Sequence, residues 1–259
     1  MQLLFIGDIV GKSGREILAA KLKFLVDELC PDLVIVNCEN AAAGFGVTPK
    51  IVDEFLALGV DVLTSGNHIW DRKEIFGSIE NEPRLIRPAN FPPGTPGQGF
   101  YIATAKNGSK IAVINLMGQV FMSSILACPF REMDSLLAQL HDQADIIFID
   151  FHAEASSEKQ AFAHYLDGKV AAVVGTHTHV PTADERIFPK GTAYISDVGM
   201  TGCYDSVIGM KPGPSLNRFL TKLPQRLEVA DGVAELRGVL IEINEKTGLS
   251  TNIRRIESK

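Results

Sequence analysis

Cysteine is scarce in this sequence and never paired. Cys30, Cys38, Cys128 and Cys203 form no C-x-x-C motif and no dense framework, so a disulfide scaffold is not indicated and reduced thiols in a cytoplasmic protein are expected. Positive charge is also in deficit. The formal net charge of −6 argues against an extended nucleic-acid-binding surface, but it leaves room for a small phosphorylated substrate in a locally positive site. No apolar run approaches membrane-spanning length. The opening "MQLLFIGDIV" lacks a basic leader and a small-residue cleavage site, so it reads as a first strand and not as a signal peptide. No linker, internal repeat or low-complexity segment divides the 259 residues. Their 46% hydrophobic and 22% charged content suits a single domain over 1–259 with a sizeable core. G-x-S-x-G is absent, which removes a nucleophile-elbow hydrolase. "GDIVGKSGR" is no phosphate-binding loop either, because Ile6 stands where its first glycine should be. Lys12 and Arg15 in this stretch could still meet an anion, although a solvated helix start explains them as well.

Short apolar runs alternate with helical patterns. "LLFIG" (3–7), "LVIVN" (33–37) and "DVLTS" (61–65) read as strands. Between the first two, Leu18, Leu22, Leu25 and Leu29 recur at helical spacing, and Ser13 with Glu16 forms a capping box. Thr48-Pro49 opens the next helix, Ile51, Phe55 and Leu58 stripe it, and Gly59 closes it. The pattern then loosens into a Pro/Gly-rich loop (81–99) and a hairpin turning at Asn107-Gly108. A helix near 131–141, the strand "DIIFID" (145–150), a serine-capped helix closed by Gly168 and the strands "KVAAVVG" and "TAYISD" follow. The tail from Arg226 to Gly248 reads as antiparallel strands. The expected fold is α/β, with two stacked mixed β-sheets flanked by helices.

Chemistry-bearing residues recur at one kind of place, the carboxyl end of a buried strand. Asp8, Glu39-Asn40, Asn67-His68, His152, and His177 with His179 in "GTHTH" all lie there. In α/β sheets, ligands bind beyond these ends. Singly, each has an ordinary reading as a helix cap, turn or core histidine. Jointly they bring imidazole, carboxylate and amide together without a thiolate. That mixture favours Fe or Mn, with Zn or Co as alternatives, in a hydrolytic site. Even with His68 left aside, seven candidate ligands exceed what one ion with open positions needs, so two ions sharing a carboxylate fit better. His141 and His164 fall within helical patterns and are taken as structural.

Asp8, Glu39-Asn40, "GNH" (66–68), His152 and the late H-x-H (177–179) resemble the motif order of the calcineurin-like metallophosphoesterases. The departures are Val10 in place of the D-x-H histidine, "NCEN" in place of GD-x-x-D, and Thr176 inside the last block. These departures, with "FIGDIVGKSGR", "NCENAAAGFG", "SDVGMTG" and "SVIGM", are similar to the YmdB-like bacterial branch over nearly the whole chain. The resemblance implies a four-layer αββα sandwich. It implies one metal on Asp8, Glu39, Asn40 and His179 and a second on Glu39, Asn67, His152 and His177, bridged by Glu39. It also implies a phosphodiesterase acting on cyclic nucleotides such as 2′,3′-cyclic AMP. In such a site the metals activate a bridging hydroxide for in-line attack on phosphorus. His68, not needed as a ligand, is then assigned as the general acid for the leaving alkoxide. The loop 81–99 and the segment 199–213 could wall the pocket. A homo-oligomer without membrane association is expected. The alternatives are a phosphomonoesterase of the same fold, a metal-dependent amidohydrolase on a (β/α)₈ barrel, and a metal-containing regulator.

Overall fold

The elements in chain order are β1 (Gln2–Ile6), α1 (Gly11–Leu29), β2 (Leu33–Asn37), α2 (Pro49–Ala57), β3 (Val62–Thr64), β4 (Phe100–Thr104), β5 (Lys110–Met117), α3 (Pro129–Leu140), β6 (Ile146–His152), α4 (Ser156–Leu166), β7 (Ala172–Thr176), β8 (Arg186–Ile187), β9 (Ala193–Ile195), β10 (Gly202–Cys203), α5 (Pro212–Thr221), β11 (Ala234–Asn244) and β12 (Leu249–Ser258). They come from a computed structural model that describes residues 1–124 and 126–259. Successive strand side chains face opposite ways, and here both faces are apolar. Leu3 and Phe5 of β1 join one buried cluster while Leu4 and Ile6 join another. In β2, Leu33 and Ile35 part from Val34 and Val36 in the same way. Such strands need a layer on each side.

Two six-stranded sheets and the helices supply those layers. The first sheet runs β10-β11-β1-β2-β3, with β12 also paired to β11, and β1 to β3 are parallel. The second runs β4-β5-β6-β7-β9-β8, parallel from β5 to β9. Leu3, Phe5, Ile35, Val113, Phe148 and Val174 fill the space between the sheets. Phe5 and Phe148 meet across it with ring centroids 5.4 Å apart. Leu18, Leu22 and Phe55 carry α1 and α2 onto the outer face of the first sheet. Met133, Leu136 and Phe162 carry α3 and α4 onto the outer face of the second. The expected four-layer αββα order is therefore present, as two open sheets, so the closed-barrel alternative is set aside.

Several local expectations are corrected. The capping box at Ser13 does not form: α1 starts at Gly11 behind Val10, whose N–H bonds Thr201 O, while Gly11 N–H bonds Asn40 O. Neighbouring backbone takes these donors, and Ser13 Oγ is buried without a partner. In α4 the cap position is Ala155, so the serines lie within the first turn. Leu58 ends α2 at 38% exposure and leaves its apolar stripe. Residues 226–233 run outside the strands, and α5 was not expected. By contrast Thr48 caps α2, accepting from Ile51 N–H at 3.4 Å, and Asn107-Gly108 turns the β4–β5 hairpin. All four cysteines are free. Among the described residues no helix is long and apolar enough to cross a membrane.

Candidate metal centre

Parallel pairing carries the strand-end residues to one edge of the sandwich. Asp8 follows β1, Glu39 and Asn40 follow β2, and Asn67 and His68 follow β3. From the second sheet, His152 closes β6 in register with Thr176, and His177 and His179 lie just beyond β7. Asp8, Glu39 and His152 are fully buried and Asn40 nearly so. His152 Nε2 lies 3.1 Å from Glu39 Oε1, 2.9 Å from Asn67 Oδ1 and 3.0 Å from His177 Nδ1. His179 Nε2 lies 3.3 Å from Asn40 Oδ1. Asp8 sits between these groups, its Oδ1 3.9 Å from His152 Nδ1. Lys12 and Arg15 instead pair with Glu16 and Glu54, at the ordinary solvated helix start.

The outward contacts of the histidines fix which ring nitrogen faces the centre. Thr176 Oγ1 donates to Asp150 Oδ1 at 2.7 Å, so it accepts from His152 Nδ1–H at 2.9 Å, and the Nε2 lone pair turns inward. His179 Nδ1–H donates to the Ile208 carbonyl at 2.9 Å, which likewise frees Nε2. His177 does the reverse: its Nε2 faces Glu154 Oε2 at 3.2 Å and Nδ1 points inward. Three lone-pair atoms, on Glu39, His152 and His177, thus lie within 4.8 Å of one another. Asp8 Oδ1 and Glu39 Oε1 are buried without a hydrogen-bond donor. Unpaired buried carboxylate oxygens are costly. Convergent lone pairs beside them are what a cation satisfies, so the donor set fits a hard or borderline metal.

Electrostatics fit the same reading. Burial pushes the Asp8 carboxyl up to about 7, against the pull of His179 and His152. Burial also acts on Glu39, but His152 beside it holds its carboxyl down to about 2. Burial alone would lower His152, yet Glu39 raises it to about 9. Burial, with His152 next, drives His177 down to about 3.

Gly66 shows how tight the cluster is: a Cβ there would lie 2.4 Å from both Glu39 Oε2 and His152 Nε2. His68 stands at the rim. Its N–H donates to Glu39 Oε2 at 3.1 Å, and its ring Nδ1 meets Asp71 Oδ2 at 2.8 Å, which leaves Nε2 for the cleft. Sequence reading missed Asp71, Asp150, Glu154, Thr176 and the buried Lys159–Asp197 pair. Asp71 and Glu154 lie three and two residues past histidines already singled out, which was the available signal; Lys159 and Asp197 carried none. A cleft of about 610 Å³ opens over Glu39, Asn40, His68, His177 and His179. Val207, Ile208 and Met210 wall it, as expected of 199–213, whereas 81–99 contributes nothing to its lining. That loop is tied down elsewhere, with Arg87 bonded to the carbonyls of Pro88, Thr95 and Pro96.

Two mixed sheets between helix layers, with carboxylates, amides and histidines gathered at one edge, define the metallophosphoesterase fold class. The chain belongs to the YmdB-like protein family, whose model matches residues 4–256. It is 51% identical over 256 residues to a Bacillus subtilis 2′,3′-cyclic-nucleotide 2′-phosphodiesterase, covering 99% of this chain and 96% of that one. A solved structure of a Thermus thermophilus protein superposes with a TM-score of 0.93 at 41% identity, covering 100% and 99% of the two chains. A Mycoplasma pneumoniae phosphatase structure also gives 0.93, at 37% identity and 100% and 93% coverage.

Proposed function

We propose that this chain is a two-metal phosphodiesterase that hydrolyses 2′,3′-cyclic nucleotides. The observation that carries the reading is the set of inward lone pairs on Glu39, Asn67, His152 and His177 beside the orphaned oxygens of Asp8 and Glu39. The Bacillus relative's activity supports the substrate class. Asp8, Glu39, Asn40 and His179 would hold one ion, and Glu39, Asn67, His152 and His177 the other, with Fe or Mn matching the mixed oxygen and imidazole donors. When bound, such ions acidify a water and neutralise phosphate charge. Only two of these ligands are carboxylates, so the loaded pocket is net positive inside an acidic protein.

The remaining work falls to the chain itself. Asn40 and Asn67 add donors without adding negative charge. Asp71 holds His68 by Nδ1, so a proton on Nε2 can pass to the leaving alkoxide. His68 is bound to Glu39 only through its backbone N–H, and its ring can act without being a ligand. His68→Ala should therefore retain both ions and lose roughly 10²–10⁴ in rate. The test is hydrolysis of 2′,3′-cyclic AMP and bis(p-nitrophenyl) phosphate with Mn²⁺ or Fe²⁺, with and without chelator, beside metal analysis. Chelator-sensitive cleavage, lost in Asp8→Ala and in His68→Ala, is expected. A metal-replete wild type that cleaves neither diester, or a His68→Ala protein that loses metal, overturns the respective assignment.

A further inference from the structure

The cleft does not end at the metal ligands. It continues along an apolar wall made of Phe45, Val180, Ile208, Phe219 and Leu227, with Arg218 beside it. Phosphoryl chemistry has no use for such a wall. Phe219 is 66% exposed and Ile208 52% exposed, both lining this cleft. Ile208 also carries strain, for its φ of 47° puts a β-branched residue in the left-handed region. Such strain persists where surroundings enforce it, and it gathers at functional sites. Here the enforcing contact is made by the Ile208 carbonyl, which accepts His179 Nδ1–H at 2.9 Å. One residue thus orients a candidate metal ligand with its backbone and presents its side chain to the cleft. Phe45 is anchored at the other side, its carbonyl accepting Arg72 Nε–H at 2.9 Å and its ring edge-on to His68 at 5.0 Å. Among the described residues Arg218 makes no ion pair, so its donors are uncommitted.

We infer that this wall is the nucleobase subsite of the enzyme, with Phe219 and Ile208 taking the flat face of the base and Arg218 its polar edge. The inference rests on the cyclic-nucleotide reading above and deepens it. Aromatic and aliphatic faces bind bases by stacking, which tolerates any base because every base has a π-face. Arg218 adds a fork of donors suited to the acceptors of a purine edge. Specificity for nucleotides over other cyclic phosphodiesters would then come from α5 and the 207–210 turn, which line the same cleft as the candidate ligands.

The test compares kcat/KM for 2′,3′-cyclic AMP with that for 1-O-methyl-ribose 2′,3′-cyclic phosphate, which has the same reacting diester but no base. Wild type should prefer the nucleotide. In Phe219→Ala the ratio should fall about tenfold, with unchanged metal content. Leu220→Ala, on the same helix but off the cleft lining, should keep the wild-type ratio and controls for disturbance of α5. A Phe219→Ala ratio equal to wild type overturns the subsite and leaves the phosphodiesterase reading standing. An unchanged ratio with a shift in oligomeric state by light scattering also overturns it, and assigns the face to a second copy of the chain. A wild type that cleaves neither compound sinks the parent reading instead.

Discussion

At Gly66 the hydrogen side chain is a requirement of the site. A methyl group there must displace Glu39 or His152, both of which are buried and held on other sides. Gly66→Ala should therefore fold and yet take up less metal than wild type, as measured by elemental analysis beside circular dichroism. Full metal content in the variant would show that the cluster yields. Protons compete for the same donors. His152, raised to about 9, and Asp8, raised to about 7, both carry a proton below those values, whereas Glu39, lowered to about 2, stays ionised. Metal binding needs the lone pairs, so uptake expels these protons. Affinity should rise with pH, more steeply below about 7, where two groups must deprotonate, than between about 7 and 9, where only His152 does. Titration calorimetry in buffers of different ionisation enthalpy reads the proton release directly, and a pH-independent affinity would contradict it.

The turn after β7 raises the corresponding question for a whole element. His177 and His179 have φ of 99° and 65°, a conformation that L side chains rarely adopt. What holds it is a buried pair from α4 and the segment after β9. Lys159 of α4 donates to Thr176 O at 2.8 Å and to Asp197 Oδ2 at 2.9 Å, and Asp197 accepts the N–H groups of Thr178 and Gly199. Lys159→Met would leave Asp197 charged and buried without its partner, at about 3–5 kcal/mol. Urea unfolding should show that loss; a change under 1 kcal/mol would mean that the turn holds itself. Much of this element was legible in the sequence, since two histidines at the end of an apolar run have little core use. The clamp was not, because Lys159 and Asp197 stand far apart in sequence and each looks like a surface charge. Strands buried on both faces were readable as continuous apolar runs, as were Thr48-Pro49 and Asn107-Gly108 as local punctuation. The helix α5 was hidden because Pro212 and Pro214 read as loop, while Leu216, Phe219 and Leu220 stay exposed and join no core. The capping box failed for a tertiary reason: backbone at Thr201 and Asn40 reached the helix start first.

For the molecule as a whole, the proposed donors come from both halves of the sandwich. Asp8, Glu39, Asn40 and Asn67 hang from the first sheet, and His152, His177 and His179 from the second. Between the sheets lies only apolar packing over most of the area, and at this edge that packing gives way to buried carboxylates. Without an ion this edge holds the unpartnered buried oxygens Asp8 Oδ1 and Glu39 Oε1. With ions held as proposed it would become a cross-link between sheets that the unfolded chain cannot make. Ligand binding to the native state alone stabilises by about 2.7 kcal/mol at a free concentration one hundred times Kd. For a chain of this size that corresponds to a rise in Tm of roughly 5–10 °C. Thermal unfolding with Mn²⁺ and then with chelator should show that difference, reversibly. The proton competition adds a second condition. His152 binds its proton more tightly in the folded apo-protein than in the unfolded chain, which stabilises the metal-free fold below about 9 and opposes metal uptake over the same range. The metal-dependent rise should therefore be largest near pH 9 and shrink steadily toward pH 6. Equal Tm values with and without chelator, in protein shown to carry ions, would mean that ion binding adds no net stability to the folded state and would overturn the cross-link.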